Sequence, residues 1–221
     1  MFHVKHSGTS VEEEPESAAL LFGVQIDRAR SFHHDLVAHG EKLGLVGPRE
    51  IDRLWTRHIV NSALVGTLVD GASLADIGSG AGFPGLVVAM MKPDVHCVLI
   101  EPMERRSKWL VDEAKRLGLD NVEVVRARAQ EVPPSIRCEV VTARAVSALK
   151  KLIPLALPLC QPGGQLLFLK GERVHDEVTA AKALLHTPPI ASFDILTLGS
   201  EWKTEETRIF RATLEDNHPH D

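Results

Sequence analysis

The sequence predicts an α/β fold, with a seven-stranded, mostly parallel, Rossmann-like sheet, an antiparallel last strand and a helical extension at the N-terminus. Three observations predict it. Apolar strand-like runs alternate with helical stretches from residue 71 onward, as successive βαβ units require. The first strand, Leu74-Ala75-Asp76-Ile77, runs straight into Gly78-Ser79-Gly80-Ala81-Gly82-Phe83-Pro84-Gly85 and then into an apolar helix, Leu86 to Met91. The last two strand-like runs, Phe193–Leu198 and Arg208–Leu214, are separated only by a short polar segment, too short for a helical crossover, so they pair antiparallel.

The glycine turn points to a ligand. Glycine tolerates φ > 0 and lets a ligand approach the backbone, and a helix N-terminus presents unpaired N–H groups. Gly80-Ala81-Gly82-Phe83-Pro84-Gly85 matches the dinucleotide pattern G-x-G-x-x-G. Asp76-x-Gly78-x-Gly80-x-Gly82 equally resembles the first motif of methyltransferases that use S-adenosylmethionine. Glu101 ends the second strand, Val95–Ile100, about 20 residues past the turn, where a carboxylate can accept both ribose hydroxyls. That requirement is common to both ligands, so Glu101 indicates adenosine without choosing between them. Length chooses: a nicotinamide enzyme needs a second βαβαβ half, and too little chain remains.

Composition sets the outer limits. The chain has 221 residues, 44% apolar, enough for one α/β domain with an extension. No run of about 18 apolar residues predicts a membrane span, and Met1 to His6 lacks a signal-peptide core. Cys97, Cys138 and Cys160 are widely spaced and read as small buried hydrophobes in a reducing compartment. A cytoplasmic location is expected, with no metal, since the histidines are scattered. Net charge is −5, yet Glu104 to Arg173 holds 13 Lys and Arg against 8 Asp and Glu, so a basic face on an acidic protein is permitted.

In chain order, residues 1–17 are polar, with the run Glu12-Glu13-Glu14-Pro15-Glu16, and are expected to be a disordered tail. Residues 18–221 form the domain, 18–70 as helical extension and 71–215 as core. Helical spacing runs from Ala18 to about Leu45, stopped by Gly44 and Gly47-Pro48. Further helical stretches cover Pro48–Trp55 and the residues after Arg57. After the second strand come a helix over Glu104–Leu117 and a strand over Val122–Ala127. A strand over Glu139–Arg144, a helix over Ala145–Cys160 and a turn at Gln161–Gly164 follow. A strand over Gln165–Lys170 and a helix over Val174–Leu185 lead to the final pair.

Six stretches together resemble the glucose-inhibited division protein B family of bacterial methyltransferases. They are Trp55-x-Arg57-His58-Ile59-x-x-Ser62, Asp76 to Gly85, Glu101-x-x-x-x-Arg106, Arg128-Ala129-Gln130-Glu131, Arg144-Ala145 and Leu169-Lys170-Gly171, spread over residues 20–214. The resemblance implies a class I methyltransferase fold with S-adenosyl-L-methionine as cofactor. It implies methyl transfer to N7 of a guanine in small-subunit (16S) ribosomal RNA. It puts Gly78 and Phe83 on the cofactor, Ala129 and Gln130 at its adenine end, and Arg144 at the junction with substrate. Asp76 is expected by the cofactor's amino group, with Gly80 and Glu101 also on the cofactor. Arg57, His58, Arg144 and Lys170 are expected on the RNA. Two positions depart from the family pattern: Gln130, where Glu is usual, and Asn61, where Asp is usual.

Guanine N7 has an in-plane lone pair and no proton, so no general base is expected and no catalytic side chain is assigned. The sequence lacks the Asn/Asp-Pro-Pro-aromatic signature of amino-group methyltransferases. The expected partner is the small ribosomal subunit or its RNA, with the protein acting as a monomer and no membrane partner. Two other readings stand beside this one: a non-catalytic protein that keeps the fold to bind cofactor or RNA, and a class I methyltransferase for a small molecule.

Overall fold

The computed structural model describes residues 12–216. Most of the expected N-terminal tail lies outside that range, but residues 12–17 are held in place. Helix α1 (Glu16–Phe22) opens directly after Pro15 with Glu16 in its first turn, where a carboxylate favours the helix dipole. Ser17 is buried, Glu14 pairs with Arg30 at 2.6 Å, and a Glu12 carboxylate oxygen accepts the Thr56 N–H.

The long helix expected over 18–45 is broken. A 3₁₀ turn at Gly23–Gln25 separates α1 from α2 (Ile26–His39), and tight turns carry the chain to residue 50. Gly23 has φ +50°, which interrupts the helix at that point. The stretch expected as helix over Pro48–Trp55 is a turn, a short 3₁₀ segment (Ile51–Arg53) and a π-helix (Leu54–Val60) that leads into α3 (Asn61–Gly66). The π-helix carries both Arg57 and His58. Wider turns of this kind are frequent at functional sites.

The seven strands are β1 (Ser73–Ile77), β2 (His96–Ile100), β3 (Val122–Val125), β4 (Cys138–Arg144), β5 (Cys160–Lys170), β6 (Ile190–Leu198) and β7 (Thr207–Leu214). Their order across the sheet is β3-β2-β1-β4-β5-β7-β6. The first five are parallel, and β7 runs antiparallel to both β5 and β6. The remaining helices are α4 (Gly85–Met91), α5 (Glu104–Arg116), α6 (Leu149–Ala156) and α7 (Val174–Leu185).

Strand alternation divides the core into two layers. Leu74, Leu99, Leu167 and Ile209 pack beneath α2, α3, α4 and α5; Ala75, Val98, Phe168 and Phe210 pack beneath α6 and α7. Burial on both faces explains why these strands read as nearly continuous apolar runs. Cys97, Cys138 and Cys160 are buried free thiols.

Two boundaries differ from expectation for physical reasons. The helix expected from Ala145 begins only at Leu149, because Ala145 is left-handed (φ +56°) and residues 145–148 form a loop. The turn expected at Gln161–Gly164 is absorbed into β5 as a bulge: Cys138 pairs with Cys160, whereas Val140, two residues on, pairs with Gln165. No helix among the described residues is long and apolar enough to cross a membrane. The strand order reverses between β1 and β4, so a crevice opens at their carboxyl ends, the usual ligand position in open α/β sheets.

Candidate cofactor and substrate site

The glycine turn sits over the carboxyl ends of β1 and β2. The N–H groups of Gly78 and Ser79 donate to the Ile100 carbonyl (2.8 and 3.2 Å), tying the turn to β2. Trp109 of α5 donates its indole N–H to the Ala81 carbonyl at 3.0 Å, which pins the far side. Gly78 has φ +70°, and a Cβ there would meet the Val146 side chain at 2.9 Å. The backbone therefore needs glycine for conformation and for the space in front of it.

Glu101 is buried at the end of β2. Its Oε2 accepts the Gly80 N–H (3.1 Å) and its Oε1 the Met103 N–H (2.8 Å). One carboxylate thus fixes the turn and the entry to α5. Each oxygen keeps further lone-pair capacity for a hydroxyl.

Asp76 is fully buried and does not line the cavity above it. Its Oδ2 accepts the Gly85 N–H at 3.0 Å and so caps α4, while Oδ1 has no hydrogen-bond partner among the described residues. Burial pushes its pKa up to about 7. An orphaned, buried carboxylate oxygen under a ligand-facing turn is matched by a cationic amino group. The expected contact with a cofactor is thus chemically fitting, but Asp76 lies buried beneath the turn and lines none of the hollows.

Two cavities meet at the end of β4. The first, about 470 Å³, lies over the glycine turn and is lined by Gly78, Gly80, Phe83, Glu101, Met103 and Arg106, among others. The second, about 680 Å³, lies over β5 and β7 and is lined by Arg53, Arg57, Asn61, Lys170, Glu205 and Arg208, among others. Glu50, His58, Arg144, Ala145 and Val146 line both. A shallower hollow continues the first cavity past Pro102 and Met103 to Arg126, Ala127, Arg128 and Glu131. Ala129 and Gln130 lie in the short 3₁₀ turn between those residues but line none of the three hollows. Ala129 packs against the core and Gln130 is exposed.

The shared wall is a hydrogen-bonded chain. His58, 6% exposed, stands 2.6 Å from a Glu50 carboxylate oxygen through Nε2 and bonds the Arg144 guanidinium through Nδ1. Arg144 also donates to the Arg57 carbonyl at 3.2 Å and lies over the Phe83 ring, 4.9 Å from its centroid. Burial, and then the Arg144 charge, push His58 down to about 4; burial pushes Arg144 down to about 10. His58 is therefore neutral and Arg144 cationic at physiological pH. Of the expected RNA contacts, Arg57 reaches the second cavity but also lies 3.5 Å from Glu50.

Two further expected RNA contacts, His58 and Lys170, line the second cavity and also have partners within the protein. His58, expected on the RNA, has both ring nitrogens engaged within the protein. Lys170, also expected on the RNA, has a side chain only 7% exposed; it donates to the Ser147 carbonyl (2.8 Å) and pairs with Glu177 (2.8 Å). Glu177 in turn accepts the Leu149 N–H at 2.9 Å. Lys170 thus anchors the 145–149 segment. Asn61 accepts the Thr207 hydroxyl at 2.7 Å, which stitches α3 to β7.

Glu50 and Glu177 carry no signal in the sequence, and Ala145, named only in the Arg144-Ala145 stretch, gives no sign of its left-handed backbone. Glu50 and Glu177 sit among many surface-like acids. The left-handed residue is an alanine, which carries no conformational signature.

Comparison with known proteins agrees with this architecture. A family model described as rRNA small subunit methyltransferase G matches residues 25–203. Ribosomal RNA small subunit methyltransferase G of Clavibacter sepedonicus is 52% identical over 206 residues, covering 93% of this chain and 98% of that one. The protein of the same name from Leifsonia xyli subsp. xyli is 46% identical over 205 residues, covering 93% and 98%. Among solved structures, a precorrin-6y C5,15-methyltransferase of Geobacter metallireducens has a TM-score of 0.52 at 17% identity, covering 70% of this chain and 87% of that one. A 16S rRNA (adenine(1408)-N(1))-methyltransferase of Catenulisporales acidiphilia has a TM-score of 0.51 at 15% identity, covering 73% and 93%. The structural likenesses speak for the fold alone. The family match spans most of the chain, including the glycine turn, the π-helix and the ends of β4 and β5, and by it this chain belongs to the rRNA small subunit methyltransferase G family.

Proposed function

We propose that this protein places a methyl group on N7 of a guanine in small-subunit ribosomal RNA, with the first cavity holding S-adenosylmethionine and the second the target base. The reaction class and cofactor follow from family membership; the acceptor atom and the residue roles are the proposal. The cofactor supplies an electrophilic methyl group on a sulfonium sulfur.

The chain's own residues supply placement. Gly78 and Gly80 leave room for the cofactor against the backbone. Glu101 accepts from ribose, the unpaired oxygen of Asp76 answers the amino group, and Phe83 and Arg144 border the methyl end. The hollow past Met103, lined by Arg126, Ala127, Arg128 and Glu131, suits the adenine end, with Ala129 and Gln130 in the turn between its last two lining residues. A base entering the second cavity must be unstacked from its helix, and Arg53, Arg57 and Arg208 at that cavity suit phosphate or a guanine edge.

The observation that carries N7 is the shared wall. The ionisable groups lining both cavities, Glu50, His58 and Arg144, form a chain in which Glu50 faces His58 and Arg57, and His58 faces Arg144, an arrangement that orders the wall rather than presenting a dedicated base. An acceptor with a lone pair and no proton to lose is the one such a wall serves. Catalysis then rests on alignment and on water exclusion.

Methyl-labelled S-adenosylmethionine incubated with the protein and unmethylated small subunits tests the reading. The expected result is label on one guanine, at a nucleotide that reductive base removal renders open to strand scission, as N7 methylation does. Label on an exocyclic amine or a ribose hydroxyl refutes it. The reading also takes the small subunit or its RNA as partner, and a cytoplasmic monomer as the acting form.

A further inference from the structure

We propose that His58 is the positioning residue for Arg144: a neutral imidazole that receives an N–H from the guanidinium on Nδ1 and passes its own Nε2–H to Glu50, so that Arg144 is held over Phe83 at the meeting of the two cavities. The inference rests on the reading above, in which Arg144 works at the cofactor–substrate junction.

Donor chemistry dictates the tautomer. A guanidinium has five N–H donors and no acceptor, so the ring nitrogen facing Arg144 must be the lone-pair nitrogen. The proton therefore sits on Nε2, where a Glu50 oxygen waits at 2.6 Å. A doubly protonated ring would turn an N–H toward a cation. The strong lowering of the His58 pKa by burial and by Arg144 agrees with the neutral form.

Packing fixes the ring plane. The imidazole centroid is 5.3 Å from that of Phe83, and the same Phe83 ring carries the Arg144 guanidinium on its face. Glu50, His58, Phe83 and Arg144 come from four segments: the turn before the π-helix, the π-helix, the glycine turn and the end of β4. Imidazole is suited to this place because it is a rigid acceptor and donor on one planar ring. Among the described residues Arg144 has only one other hydrogen bond, to the Arg57 carbonyl. Without His58 the guanidinium loses its sideways reference and pivots on Phe83.

The test uses the whole protein and two independent readouts. The first is kinetic. His58→Phe keeps a ring against Phe83 but removes the acceptor, and it is expected to lower kcat by about 100-fold through misplacement at the junction. The dissociation constant for S-adenosylhomocysteine, measured by calorimetry, should shift less than about threefold. His58→Gln, which offers an amide oxygen to Arg144 and an N–H toward Glu50, should recover part of the rate. Arg144→Lys and His58→Phe should be strongly non-additive when combined.

The second readout needs no catalysis. Nitrogen-15 NMR of the histidine rings should show His58 as the Nε2–H tautomer with a hydrogen-bonded Nδ1, and the Nδ1 resonance should move in Arg144→Met while the protein keeps its cooperative melt. A His58→Phe protein that melts as wild type and retains wild-type kcat overturns the proposal, and so does an Nδ1–H tautomer. If wild-type protein transfers no methyl to ribosomal RNA while the NMR signature stands, the failure belongs to the functional reading and the His58–Arg144 geometry survives it.

Discussion

The two cavities share a wall at Glu50, His58, Arg144, Ala145 and Val146 yet are otherwise built from different material. Over β1 and β2 the site is mostly backbone: glycine N–H groups, a left-handed turn, a helix start and two buried carboxylates beneath them. Over β5 and β7 it is side chain: arginines facing glutamates, with Lys170 and His58 already bonded inside the protein. A backbone-built pocket is set by local chain geometry and changes little with sequence. A side-chain pocket depends on partners brought from far along the chain, and its charges are available only if those partners leave them free.

The largest effect should come from attacking the backbone-built half. Gly78→Val puts a β-branched residue at φ +70° and a Cβ 2.9 Å from Val146. Strain of about 1–3 kcal/mol at such a position, added to the lost space, should weaken S-adenosylhomocysteine binding by about 100-fold or more. Calorimetric titration checks it. Retained affinity would mean that the turn is not where the cofactor lies.

Next in size is Lys170→Met. Removing the ammonium strands the Ser147 carbonyl and leaves Glu177 unpaired near a side chain only 7% exposed. The expected cost is about 2–3 kcal/mol of stability, read from denaturant midpoints. Glu177→Gln in the same background should recover part of it. RNA affinity falling while stability holds would restore Lys170 as a direct phosphate contact and break the distinction drawn between the two halves.

The two halves should also respond oppositely to pH. Asp76, raised to about 7, binds a proton in the folded state that the unfolded chain has already lost, so its contribution to stability falls as pH rises from about 4 to about 7. His58, lowered to about 4, stays neutral when folded while the unfolded histidine takes a proton, so stability falls as pH drops from about 6.5 to about 4. Asp76→Asn should flatten the first slope and His58→Gln the second, each by about 1–3 kcal/mol across its window. Melting curves at pH 4.5, 6 and 8 would show whether the slopes separate.

The smallest effect is expected at Gln130. Its side chain is exposed and makes no hydrogen bond among the described residues, so Gln130→Ala should change cofactor affinity by less than about twofold. A large change would give the side chain, not the backbone of the 129–131 turn, the adenine contact.

Much of the fold is legible in the residues themselves. The nearly continuous apolar runs of the strands and the antiparallel closing pair emerge from local pattern, and α7 occupies its expected residues. The helical breaks at Gly23 and before Leu149, and the bulge in β5, are not legible. Gly23 permits its break without announcing it, the left-handed residue before Leu149 is an alanine, and the bulge is set by the register of β5 against β4.

The candidate site divides along the same line. The sequence by itself determined the glycine turn, the carboxylate at the end of β2 and the arginine at the end of β4, because strand, tight turn and helix start each need particular residue types at short spacing. Only the tertiary structure decided what Arg144, His58 and Lys170 are free to do. His58 and Arg144 lie 86 residues apart in the chain, and Lys170 reaches 23 residues back to Ser147. Whether a charged side chain faces a ligand or a protein partner depends on which groups the completed sheet brings within about 3 Å of it, and no local pattern of residues encodes that distance.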